Sequence, residues 1–188
     1  MNSKIYIICI DEDTALKAAK ILSEIDDNLC IANTFITDSD YSDLCISDRY
    51  MYYISEDQLN LDYKNNALLY VVTDGDTQVS KGIAIDEFYN SQIIPVSLKA
   101  FNTINKHHFE NEIIVWIDIK INKTKFSLVD YKLNLIESNY LLKILDSLKN
   151  NTPLYFGPDE DLKEGMKIVY DYFKGDKETK NSILNELF

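Results

Sequence analysis

The residues best suited to chemistry are three consecutive acids, Asp11-Glu12-Asp13, followed by Thr14. They come straight after Lys4 to Ile10, a β-branched run that reads as a strand buried on both faces. Carboxylates at a strand end suit a hard cation such as Mg²⁺, which takes oxygen ligands and keeps several waters. They are ill suited to a bare phosphate. A phosphate cradle needs glycines, so that backbone N–H groups can close around the oxyanion, and usually a lysine. Ile10 to Thr14 supplies neither. The plainer reading is that Asp11 and Asp13 open a helix, with Asp13 or Thr14 as N-cap, where negative charge meets the positive end of the helix dipole. A further acid, Asp74 or Asp76 in Thr73-Asp74-Gly75-Asp76, stands at a turn signal. Asp11, Asp13, Thr14 and Asp74 are therefore the candidate ligand-binding residues. No metal site is assigned.

Other reactive residue types form no constellation. His107 and His108 are adjacent and so point in different directions, and no third histidine exists to complete a zinc site. Cys9, Cys30 and Cys45 are odd in number and lack C-x-x-C spacing; they read as buried free thiols of a reducing compartment, with nothing marking a nucleophile. Trp116 lies inside an apolar run and reads as core. Tyrosine occurs 13 times. Tyr41, Tyr50, Tyr52 and Tyr53 are candidates for an interaction face, because tyrosine is favoured at protein contacts. Ordinary packing of aromatic side chains at strand edges accounts for them equally well.

The elements that must position these residues alternate along the chain. After the first strand, Ala15, Ala18, Leu22 and Ile25 share one helix face, and Leu29 to Ile36 reads as a second strand, giving a βαβ opening and a parallel sheet. Tyr50 to Ile54 is a short strand, and Ser55 followed by Glu56, Asp57 and Gln58 starts a helix. Leu68 to Thr73 is a strand, Val79 to Tyr89 a short helix, and Ile93 to Leu98 and Ile113 to Ile119 two more strands. Leu133 to Lys149 is a long amphipathic helix. Leu154 to Phe156 is the last strand, Gly157-Pro158 turns the chain, Asp159 to Phe173 is a helix burying Leu162, Met166 and Val169, and Asp176 to Phe188 closes as a short helix. This order predicts an α/β three-layer sandwich with a mainly parallel sheet, in one domain spanning 1–188. Ligands of such sheets bind at the carboxyl ends of the strands, which directs attention to the loop after strand one.

Composition narrows the function classes. The 188 residues are 46% hydrophobic, enough for a proper core, and Gly 5 and Pro 3 leave no room for a flexible linker. Acids outnumber bases 31 to 19, a formal charge of -12 that repels nucleic-acid phosphates and anionic membranes. Neither nucleic acid nor membrane is expected as a partner. The initial apolar run is too short for a signal peptide, which points to the cytoplasm. A lone arginine, Arg49, amid frequent Asn, Ile, Lys and Tyr suggests an A/T-rich coding genome, such as that of a large DNA virus, with the host cytoplasm or the virion as location.

The order of elements resembles guanylate kinase and its relatives among the nucleoside-monophosphate kinases, a P-loop kinase fold. Tyr50-Met51-Tyr52-Tyr53-Ile54-Ser55-Glu56-Asp57-Gln58-Leu59 looks like the entry into that family's nucleotide-monophosphate lobe, and Asn65-Asn66-Ala67-Leu68-Leu69-Tyr70 like its next hairpin. Gly75-Asp76-Thr77, Val79 to Asn90 and Ile93 to Leu98 continue the order. Pro153-Leu154-Tyr155-Phe156, with Asp159-Glu160-Asp161-Leu162 and a closing helix, resembles the family's end. The departures concern phosphate. Asp11 to Thr14 stands where the family has a Gly-rich loop ending Lys-Ser or Lys-Thr. Thr34 to Asp43 contains no base where the family has an arginine-rich turn, the lid arginines lack counterparts after Asp118, and Tyr70 replaces the acid that reads guanine.

Phosphoryl transfer rests on positioning and positive charge, and one arginine finger is worth ~10³–10⁵ in rate. The resemblance with these departures implies a non-catalytic, degenerate kinase-like scaffold, without cofactor, that binds a protein partner or itself. The alternative is a regulatory domain binding Mg²⁺ or a small ligand at the strand ends, a task shared with receiver domains, whose first strand Lys4 to Asp13 loosely resembles.

Overall fold

The structure, a computed structural model, describes residues 4–9, 12–38, 50–75, 77–104, 113–117, 154–156 and 161–187. In chain order its elements are β1 (Ile5–Cys9), α1 (Glu12–Ile25), β2 (Thr34–Ile36), β3 (Met51–Tyr53), α2 (Glu56–Lys64), β4 (Leu68–Thr73), β5 (Ser80–Ala84), α3 (Ile85–Asn90), β6 (Ile93–Ser97), α4 (Leu98–Thr103), β7 (Ile113–Ile117), β8 (Leu154–Phe156), α5 (Leu162–Lys174) and α6 (Lys177–Leu187).

The apolar run at the start becomes β1, all of it buried. β1 pairs in parallel with β6 on one side and β7 on the other, and β7 pairs in parallel with β8, giving the order β6-β1-β7-β8. Side chains alternate across a strand, so β1 feeds two cores. Ile5, Ile7 and Cys9 pack with Ala15, Ala18, Ala19 and Leu22 of α1 and with Met166 and Val169 of α5. Tyr6 and Ile8 pack on the other face with Phe88 of α3, Ala100 and Phe101 of α4, and Trp116. Helices thus cover both faces of a parallel sheet, the expected α/β sandwich with Trp116 in its core.

A second sheet, order β3-β2-β5-β4, is mixed: β2 and β3 run parallel, while β5 is antiparallel to both β2 and β4. Its Tyr70 and Ile83 enter the same core as Tyr6 and Ile8, so the two sheets share apolar packing.

Several expectations change here. Val79 to Tyr89 is not one helix: Ser80–Ala84 forms β5, and only Ile85–Asn90 is helical. β5 lies between β2 and β4, and this pairing outweighs local propensity. Gly82 belongs to that arrangement, since a Cβ there would lie 2.6 Å from the Tyr70 carbonyl oxygen. Leu29 to Ile36 splits as well. Ile31 makes a single parallel bridge to Ile93 at the edge of the first sheet, and Thr34–Ile36 opens the second. Helix α1 begins at Glu12, so Asp13 and Thr14 lie inside it and neither is its N-cap. Ile25, expected on the apolar face, is exposed, as is Cys30; Cys9 is buried. Helix α5 starts later than expected, at Leu162, where the Asp161 carboxylate accepts from the N–H groups of Lys163 at 2.8 Å and Glu164 at 3.1 Å. The helix read from Leu133 to Lys149, the Gly157-Pro158 turn, Cys45 and the two histidines lie outside the described residues. No helix among the described residues is long and apolar enough to cross a membrane.

Candidate functional site

The parallel strands end level with one another. Cys9 is in register with Ser97 of β6 and with Ile117 of β7, and Ile117 with Phe156 of β8. Ser97 spends its hydroxyl on capping α4, accepting from the Ala100 N–H at 3.2 Å. Two residues after the end of β6, Lys99 reaches across to the second sheet. Its ammonium donates to the carbonyl oxygen of Thr73, the last residue of β4, at 2.6 Å. That bond holds the tip of the β4–β5 hairpin beside the carboxyl end of the parallel sheet.

The hairpin tip is built by Asp74. Its carboxylate accepts from the Thr77 N–H at 2.8 Å and the Thr77 hydroxyl at 3.0 Å, and the chain turns through Gln78 at φ 60. Behind the tip a row of hydroxyls runs from β4 and β5 to Thr37, the residue after β2. Thr73 and Ser80, facing each other in register, share a hydrogen bond of 2.8 Å, and the Ser80 N–H donates to the Thr37 hydroxyl at 2.9 Å. Ser80 is buried at the middle of the row, between exposed Thr73 and half-buried Thr37. Hydroxyls both donate and accept, which suits a polar ligand of either character.

The candidate residues fall in different places. Asp11 lies outside the described residues, as does the side chain of Asp13; Thr14 is half-buried in α1. Asp74 is brought to the strand ends through Thr73 and Lys99, with part of its carboxylate committed to its own turn. Among the described residues no three of His, Cys, Asp and Glu converge as a metal site. Tyr41 is outside the described residues. Tyr50 is half-buried against the α1 side of the core, with the Lys20 ammonium 5.7 Å from its ring. Tyr52 and Tyr53 are 46% and 45% exposed. Tyr70, which stands at the resemblance's guanine-reading position, is 2% exposed and packs in the core shared by the two sheets.

Lys99, Thr37, Thr73 and Ser80 were not legible as site residues. Thr73 and Ser80 flank the six-residue connection 74–79 that opens with Asp74-Gly75, a signal a hairpin reading would have caught. The Lys99–Thr73 bond joins residues 26 apart and leaves no local pattern. The perturbed acids lie elsewhere. Asp26, at the end of α1, is held well below the usual carboxylate range, chiefly by the Lys174 ammonium at 2.9 Å and then by the N–H groups of Asn28. Asp176 is lowered by the Thr179 N–H it caps. Both serve helix packing.

No protein-family model and no curated protein matches the chain. Its structure matches that of a guanylate kinase from Anaplasma phagocytophilum with a TM-score of 0.54 at 9% identity, covering 100% of this chain and 87% of that one. At this identity the likeness speaks for the fold, and the chain has a guanylate-kinase-like α/β fold. One expectation is corrected: the departures from the kinase pattern point to a non-enzyme, but the fold the chain matches is that of an enzyme. An acidic, glycine-free first connection is no ground by itself for denying catalysis.

Proposed function

We propose that the chain binds a nucleotide where the β4–β5 hairpin meets the carboxyl ends of β1, β6 and β7. The observation that carries this reading is the Lys99–Thr73 bond, which sets Asp74 and the Thr37–Ser80–Thr73 hydroxyls beside those ends. The place is where open parallel sheets bind ligands, and the matched fold is that of a kinase acting on guanylate. The phosphate grip differs from a Gly-rich loop. The sequence between β1 and α1, Ile10-Asp11, holds neither glycine nor lysine. With acids at Asp11 to Asp13, a bare phosphate is repelled, so the nucleotide enters as its Mg²⁺ complex. Mg²⁺ takes carboxylates and waters, and Asp74 is the carboxylate that the described residues place there.

The test is thermal melting with guanosine monophosphate and with adenosine triphosphate, each with and without Mg²⁺. A ligand held only by the folded chain at 100 times its Kd adds ~2.7 kcal/mol. A rise in Tm that requires Mg²⁺ and falls in Lys99→Ala and Asp74→Ala supports the reading. Melting unchanged by both nucleotides overturns it. A coupled assay for nucleoside diphosphate on the same samples reads any phosphoryl transfer directly.

A further inference from the structure

Strand β3 is an edge strand, and its hydrogen bonds to β2 show which way its backbone faces. The Thr34 N–H donates to the Tyr50 carbonyl at 2.8 Å, and the Ile54 N–H donates to the Ile36 carbonyl at 2.9 Å. Backbone groups alternate sides along a strand. Residues 50, 52 and 54 therefore face β2, while Met51 and Tyr53 turn their N–H and C=O groups to the outer edge. Among the described residues no strand lies beyond that edge. Exposed edges are usually blunted by lysine, proline or a bulge, and Met51-Tyr52-Tyr53 has none of these; among the described residues shortness is its one protection.

Apolar surface gathers around this edge. Of the six large hydrophobic side chains exposed among the described residues, two, Tyr52 and Tyr53, stand on β3 itself. Aromatic side chains beside open backbone donors and acceptors are the features that strand-adding partners use. The charge selects the partner. Helix α2 opens directly after β3 with Glu56 and Asp57, and the whole chain carries -12. A second copy would bring these acids against each other, whereas a basic segment would meet them favourably.

We propose that the outer edge of β3 takes up an extended, lysine- or arginine-bearing segment of a partner protein as an added strand, hydrogen-bonded to Met51 and Tyr53. The probes are a fluorescent peptide of alternating valine and lysine and its valine–glutamate counterpart. Saturable anisotropy with the lysine peptide, and none with the glutamate peptide, is expected. Tyr53→Pro removes an outward N–H while sparing the bonds to β2, a position where edge strands accept proline, and is expected to weaken binding about tenfold. Hydrogen exchange on the unaltered chain reads the same edge independently: the lysine peptide is expected to slow exchange at the Met51 and Tyr53 amides. The proposal is overturned by equal binding of both peptides, by protection that omits those two amides, or by a folded Tyr53→Pro that binds undiminished. Dimerisation of the chain that Tyr53→Pro abolishes would assign the edge to a second copy and overturn it too.

Discussion

In the parallel sheet, every residue of β1 and β7 is buried, and two helical layers enclose them. In the second sheet, β3 has no buried residue and β4 has two of six, Leu68 and Tyr70. Both sheets are rich in Ile, Val and Tyr, so residue type alone does not distinguish them; the number of covered faces does. The enclosed sheet carries the stability. The half-open one carries the polar row, the Lys99 contact and the β3 edge beyond which no described strand lies.

The sharpest way to break this contrast is to truncate one residue in each sheet. Ile8→Ala, in the enclosed β1, is expected to cost ~2–5 kcal/mol in urea denaturation. Phe35→Ala, half-buried in β2, is expected to cost less than half as much as Ile8→Ala. Equal losses would mean that the second sheet contributes to stability as the first does. Gly82→Ala sharpens the comparison within the second sheet. The added methyl meets the Tyr70 backbone oxygen, which cannot swing aside as a side chain can, so a loss of ~1–3 kcal/mol is expected, with faster hydrogen exchange in β4 and β5. An unchanged midpoint would show that β4 and β5 can move apart freely. Ser55→Ala removes the acceptor for the Gln58 N–H, at 3.3 Å, and is expected to cost ~1 kcal/mol at the start of α2. If circular dichroism and melting are unchanged, the cap contributes nothing to this lobe.

The same contrast explains what could be read from the sequence. A strand buried on both faces writes a continuous apolar run, and β1, β6 and β7 were legible to within a residue or two. β5 reads Ser80-Lys81-Gly82-Ile83-Ala84, with too few apolar residues to declare itself; only its pairing with β2 and β4 makes it a strand. The position of α1 was legible from its apolar face, but its start was not, because three acids in a row offer several cap positions. Lys4 shows a different limit. It sits 6% exposed at the amino end of β1, donating to the Ser91 carbonyl at 2.7 Å and lying 4.7 Å from the Phe88 ring. No local pattern could announce that a lysine would be buried by partners more than 80 residues away. The candidate site follows suit: the acids and the turn at Asp74 were visible, while Lys99 and the hydroxyl row required the tertiary structure.

The smallest effect concerns the helical layer over the enclosed sheet and is read by pH. Asp26, its side chain 10% exposed, accepts from Lys174 at 2.9 Å, from Asn28 N at 3.0 Å and Nδ2 at 2.8 Å, and from the Tyr170 hydroxyl at 3.3 Å. These donors, Lys174 foremost, hold its carboxyl below the usual range. A carboxyl depressed in the folded state stabilises fully above its unfolded value of about 3.9, and that contribution drains away as pH falls through the folded value. Lys174 is raised by the same bond, so its contribution is complete below about 10.4 and is lost as pH rises through its raised value. Asp26→Asn is therefore expected to melt below the unaltered chain at neutral pH, and the two melting curves should converge in acid. Hydrogen exchange in acid should quicken in α5 and α6 before β4 and β5, because Asp176, which caps α6, is depressed in the same direction. A Tm gap that stays constant from neutral to acid pH would mean that Asp26 acts by shape rather than charge. Exchange that quickens first in β4 and β5 would place the acid-sensitive part of the molecule in the half-open sheet instead.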